Sequence, residues 1–280
     1  MPSKKHYPVV RGSQLGATTE NTALRILQVD EELSKLNRRL MRQSRYYTVK
    51  IDMEPANVGT YEVYALRDDW AVQKGLQMAY KHYVRNTADE RESLGKQVAR
   101  WEDFRVNTGA SGNSLFATLR SPAAAESILT AGEFALANVV DSSNTQRTFT
   151  WGTPGAAQFG ILQEYDKAGN AQGDPSSFTA DGPYEEINSE VNAITMDDLQ
   201  TDGNLPPYDQ AGVNSGSPFV KVGQLGAGPG GDQRLSTGYF TAPCGIVIIV
   251  GPAADWNSGN LSFVCQSGDY KGVHAPSMLE

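Results

Sequence analysis

The first periodic stretch of the chain is TALRILQVDEELSKLNRRLMRQSR, residues 22–45. Ile26, Val29, Leu33, Leu36 and Leu40 recur at steps of three and four, which aligns side chains along one face of a helix. Lys35, Arg38, Arg39, Arg42 and Arg45 fall opposite them at about 100° per residue, so the spacing predicts an amphipathic helix with a cationic back. The period then changes. In YYTVKIDM, Tyr47, Val49, Ile51 and Met53 alternate with Tyr46, Thr48, Lys50 and Asp52, the pattern of a half-buried strand. Pro55 to Gly59 turn the chain into a second strand, TYEVYAL. Asp68 stands where a helix cap is needed, before Val72, Leu76, Ala79, Tyr80 and Tyr83 at helical spacing. Thr87 and Glu90 have the capping-box spacing for a shorter helix reaching Arg100, and WEDFRV returns to strand character.

From Ser114 onward the apolar positions come in short pieces: SLFATL, EFALANVV, RTFTW, QFGIL, PFVKVGQL, STGYFTA, CGIVIIV and LSFVCQ. Residues 121–280 hold 21 of the 28 Gly and 11 of the 14 Pro, so long loops separate these pieces. About eleven short strands with such punctuation predict an all-β chain. The expected architecture is a single jelly-roll antiparallel β-sandwich with inserted helices and long loops, preceded by a basic N-terminal arm and amphipathic helix. The arm and helix would occupy residues 1–45 and the sandwich 46–280, with inserted helices near 68–100 and an acidic loop region near 164–217. No internal repeat is visible.

Charge sharpens this division. Residues 1–50 carry ten Lys and Arg against four Asp and Glu, whereas residues 121–280 carry five against eighteen. A basic end on an acidic body suits a protein that meets a polyanion with one end only. MPSKKHYPVVRG has no apolar run behind its basic residues, and Ile246 to Val250 is too short to cross a bilayer, so a soluble chain without a secretory signal is expected. Cys244 and Cys265 lack metal-site spacing and are expected as free buried thiols. Pro252 and two Gly between the runs that hold them predict a hairpin, with the two cysteines on neighbouring strands.

Signatures of catalysis fail on context. His6, His82 and His274 lie apart from one another, and no GxSxG elbow occurs. Gly226, Gly228 and Gly231 satisfy GxGxxG, but a strand follows where a phosphate-binding helix would be required. Asn260 opens an Asn-x-Ser match without other signs of secretion. Asp198, Asp202 and Asp209 fit part of a calcium-loop frame, and Pro206 and Pro207 obstruct its exit helix. The expectation is no enzyme, no cofactor and at most weak calcium binding.

The basic arm, the amphipathic helix, the strand YYTVKID, the early inserted helices and the late block LSTGYFTAPCGIVII resemble coat proteins of small icosahedral viruses, nearest to capsid proteins of small circular single-stranded DNA viruses. The resemblance implies a homo-oligomeric icosahedral shell, a genome of single-stranded DNA, and an arm facing that genome. Lys4, Lys5, Arg11, Lys35, Arg38, Arg39, Arg42 and Arg45 would then contact phosphates. This arm lacks the long Arg-rich run of many such proteins. Deletion of residues 1–45 is expected to leave the β body folded. The competing class is a soluble β-sandwich module, for carbohydrate, with Trp151, Tyr165, Tyr184, Tyr208 and Trp256 as its platform.

Overall fold

The computed structural model describes residues 9–17, 23–54, 60–95, 101–119, 127–141, 143–170, 217–227, 233–251 and 261–279. In chain order the elements begin with β1 (Gly12–Ala17), β2 (Leu24–Gln28), α1 (Val29–Asn37), β3 (Tyr46–Met53) and β4 (Tyr61–Leu66). Next come α2 (Trp70–Asn86), α3 (Ala88–Leu94), β5 (Asn113–Leu119), β6 (Ser127–Ile128), β7 (Asn138–Val140), β8 (Gln146–Thr150), β9 (Gln158–Gly160) and α4 (Ile161–Asn170). The carboxy-terminal part supplies β10 (Phe219–Ala227), β11 (Gln233–Arg234), β12 (Phe240–Pro243), β13 (Ile246–Val250) and β14 (Leu261–Cys265). The chain divides into one large unit, Met1–Ile161 with Ser217–Glu280, and a second, Leu162–Gly216, whose described part is the remainder of α4. No helix among the described residues is long and apolar enough to cross a membrane.

The chain is mostly β. Eleven strands make one sheet, whose path runs β11-β10-β4-β13-β2-β5-β1-β14-β3-β12 with β6 on β5. At one end of that path β12 lies against β4 and β13, so the sheet curls toward closure. Eight strands obey a nested rule. β1 pairs with β14, β2 with β13, β3 with β12 and β4 with β10, first with last and so inward, all antiparallel. β14 on β3 and β13 on β4 join these ladders into two groups of four. β5 pairs with both β1 and β2, antiparallel to the first and parallel to the second, and bridges the groups. The sheet is therefore mixed and continuous, where the sequence led us to expect a purely antiparallel sandwich. A separate sheet orders β7-β8-β9, with β8 and β9 parallel.

Alternation built β3 as the pattern required: Tyr47, Val49, Ile51 and Met53 are buried and the intervening residues half-exposed. They pack with Leu27, Val29, Leu33, Val63, Val247, Ile249 and Phe263 in the main core. Residues 22–45 depart from expectation. Leu24–Gln28 is a strand covered on both faces, with Arg25, Ile26 and Leu27 all buried, so it carries no alternation to distinguish it from a helix. The helix starts only at Val29, whose N–H donates to Gly245 O at 2.8 Å, and ends where Arg38 turns left-handed at φ 49°. With β1 and β2 inside the sheet, β1, β2 and α1 belong to the β body and not to an arm preceding it. Residues 1–8 and 18–22 lie outside the described residues.

Three smaller expectations also change. The cap of α2 is Asp69, which accepts from Val72 N–H at 2.9 Å. The hydroxyl of Thr87 donates to Tyr83 O, so no capping box forms with Glu90. WEDFRV is extended but forms no ladder: Val106 N–H donates to the side chain of Gln43 and Arg105 O accepts from Ala137 N–H. Cys244 and Cys265 are free and buried as expected, yet they are not on neighbouring strands. β13 has β2 and β4 as neighbours and β14 has β1 and β3, so no hairpin joins them. Cys244 itself sits in the turn before β13 at φ 56°, with its N–H on Met278 Sδ.

Candidate nucleic-acid interface

α1 places three acids, Asp30, Glu31 and Glu32, in its first turn, where the partial positive charge of the helix end favours them. Asp30 and Arg105 are almost fully buried and pair at 2.6 Å. The same guanidinium reaches Glu31 at 2.5 Å and Gln28 Oε1 at 3.3 Å, and lies 4.8 Å from the centre of the Phe134 ring. Glu32 accepts from Ala117 N–H at 2.7 Å and pairs with Lys35. Burial dominates the titration of this cluster. It raises Asp30 and Glu32, and with the neighbouring charge of Asp30 it pushes Glu31 up to about 7. Asp103 is pushed up to about 6, again by burial first, against the opposing hydrogen bond from Gln43 N–H. The cluster fixes α1 to β5 and to the segment 101–106.

What this leaves at the surface is a smaller cationic set than the sequence suggested. Arg38, Arg39 and Arg42 are exposed at and just beyond the carboxy-terminal end of α1. Lys35 is not available: its side chain is 8% exposed, paired with Glu32 and set over the ring of Phe116. Arg45 donates to Ala275 O at 2.7 Å and stacks at 3.5 Å on Tyr270, a structural position. Arg11 is exposed and its Nε donates to Gly272 O at 2.7 Å. Lys4 and Lys5 lie outside the described residues. Val10 exchanges two hydrogen bonds, 2.9 and 2.8 Å, with the side chain of Asn37. Val10 is thereby held beside the end of α1.

Sequence reasoning missed Lys271, Tyr270 and Arg105. Lys271 reaches Leu40 O and lies near Tyr270, whose hydroxyl accepts from Arg42 N–H at 3.2 Å. These contacts span more than 200 residues, and no local spacing announces them. Against the end of α1 a cleft of about 640 Å³ opens, lined by Arg38, Arg39, Leu40, Trp101, Phe134 and Leu136 among others. Trp101 is 59% exposed.

Other sequence candidates separate. Trp151 is buried, which removes it from any carbohydrate platform. Tyr165 lies on α4 in the second unit. Tyr184, Tyr208, Trp256, Asn260, His6 and the calcium candidates Asp198, Asp202 and Asp209 lie outside the described residues. Among the described residues no three His, Cys, Asp or Glu are grouped to hold a metal ion. His274 Nδ1 is 3.0 Å from Thr48 Oγ1, and His82 is exposed on α2. Comparison with known families, with curated proteins and with solved structures finds no match to this chain.

Proposed function

We propose that this chain is a viral coat protein that assembles into an icosahedral shell and packages a nucleic-acid genome. The observation that carries the reading is the nested pairing of eight strands. A long antiparallel hairpin of four-strand arms, wound on itself, gives the order β1-β14-β3-β12 in one group and β2-β13-β4-β10 in the other. We read that order as the one of an eight-stranded jelly roll, the fold of viral capsid domains and also of lectins and cupins, within a sheet that is mixed and nearly closed. In this reading α1 is an insertion between the second and third strands, β5 and the helices α2 to α4 are insertions between the fourth and fifth, and β5 extends and joins the two faces.

Two surface properties favour a coat protein among those alternatives. Trp70, Leu119, Val220 and Tyr239 stand 42–53% exposed, which suits contact with neighbouring copies. Arg38, Arg39 and Arg42 are exposed together at the carboxy-terminal end of α1, which suits a sequence-independent phosphate contact. The genome class that the sequence resemblance implies is single-stranded DNA.

Electron microscopy of the purified chain tests the reading, with closed symmetric particles expected. A monomer under every salt and pH condition would refute it. Changing Arg38, Arg39 and Arg42 to Glu should lower the ratio of absorbance at 260 to 280 nm in purified particles without altering their shape. Arg45 and Lys35 are excluded from that variant because both hold the fold.

A further inference from the structure

We infer that the cleft beside the carboxy-terminal end of α1 is a base pocket, taking one nucleotide of a single strand with its base on Trp101 and its phosphate on Arg38 and Arg39. This rests on the genome-packaging reading and names the subsite. The cleft holds about 640 Å³, within the range of small-ligand sites. Its walls are largely apolar, from Leu40, Phe134, Leu136 and the exposed indole of Trp101, a surface on which a base can stack and a lone phosphate gains nothing. Arg38 and Arg39 stand at the same cleft, exposed, on the left-handed turn that ends α1.

The acids of the cleft do not cancel those arginines. Glu102 already accepts from Tyr83 at 3.0 Å and pairs with Arg91, and Asp103 accepts from Gln43 N–H at 2.9 Å. Glu133 is exposed and its charge is screened by solvent. Arg105, whose charge is consumed by Asp30 and Glu31, backs Phe134 and holds that wall in place. An apolar slot with two cations at its mouth matches a base with its phosphate.

The test uses the full chain freed of nucleic acid, with labelled oligothymidylate and an abasic strand of equal length, by fluorescence anisotropy across a salt series. The parent should prefer the strand that has bases. Trp101→Leu keeps the slot apolar but removes the stacking ring, and should weaken oligothymidylate binding about tenfold while leaving the abasic strand unaffected. Arg38→Gln with Arg39→Gln should weaken both strands and flatten the salt dependence by about 1.4 in log–log slope. Equal affinity of the parent for the two strands, or a Trp101→Leu variant that binds oligothymidylate as the parent does, overturns the pocket. Loss of particles by Trp101→Leu with unchanged oligothymidylate binding also overturns it, because the cleft then receives a second copy of the chain. A chain that forms no particles yet shows the Trp101-dependent preference overturns the coat reading and supports the pocket.

Discussion

Replacing Arg105 by Met would remove the cation that faces Asp30 inside the protein. Asp30 is 0% and Arg105 3% exposed, so neither charge is relieved by solvent. Breaking a buried pair from one side costs about 3–5 kcal/mol, because the other charge stays behind unpaired. Here the penalty has an escape, since the abandoned carboxyl can take up a proton. Burial already holds Glu31 at about 7, against an ordinary 4.5, and Asp103 at about 6, against 3.8. At about 1.4 kcal/mol per pKa unit, each shift corresponds to about 3 kcal/mol. The sign follows from where the proton is held more tightly. The folded parent binds these protons better than the unfolded chain, so their stabilisation is full below the unfolded values and is lost as pH rises through 6 and 7. Arg105 lowers Asp30 and Glu31, so its removal raises them further and makes the variant still more dependent on acid. Urea unfolding followed by tryptophan fluorescence, at pH 5 and pH 8, should give a deficit of about 3–5 kcal/mol at pH 8 and a clearly smaller one at pH 5. Adding Asp30→Asn should recover part of the loss at pH 8. An equal deficit at both pH values, or one below about 1 kcal/mol, would refute the electrostatic account.

Three further outcomes follow from the fold. Deletion of residues 1–45 removes β1, β2, α1 and the buried Leu15, Leu27, Val29, Leu33 and Met41, so the remainder should fail to fold by circular dichroism. Asp69→Ala should cost about 1 kcal/mol through loss of the α2 cap, and Asp68→Ala a few tenths, in the same urea assay. Cys244 and Cys265 should resist a thiol reagent until the protein unfolds, because burial raises both thiols, Cys265 to about 12; prompt reaction of either in the folded chain would show that its burial is wrong.

What could be read ahead of the structure depended on whether one residue's environment was decided by its neighbours in sequence. Tyr47 to Met53 alternated because one face meets the core and the other does not, and β3 followed. Leu24 to Gln28 ran into a helix without a break in apolar character, and with both faces covered its period could not be told from that of the helix. Gly and Pro between Val250 and Leu261 marked a turn but not a partner, because β13 and β14 turn away to pair with β2 and β4 in one case and β1 and β3 in the other. The cationic back of residues 35–45 was legible as charge. Its division into exposed arginines and structural ones was not, since Glu32, Phe116, Tyr270 and Ala275 decide it, and three of these lie 80 or more residues away by their numbers. The burial of Asp30 against Arg105 was likewise illegible, because the partner lies 75 residues away.

The nested pairing sets the order in which the body can be completed during synthesis. The outermost ladder joins Gly12–Leu15 to Leu261–Val264, and even the innermost joins Leu66 to Phe219, so no pair of the eight closes until the ribosome is far along the chain. Contacts of such separation make folding slow, since loop closure must precede any gain from the ladder. β1 can meet β5 once residue 119 has emerged, but its other edge stays open until β14 is made. A sheet built this way acquires its finished surfaces late, once residues 261–265 are available to both β1 and β3.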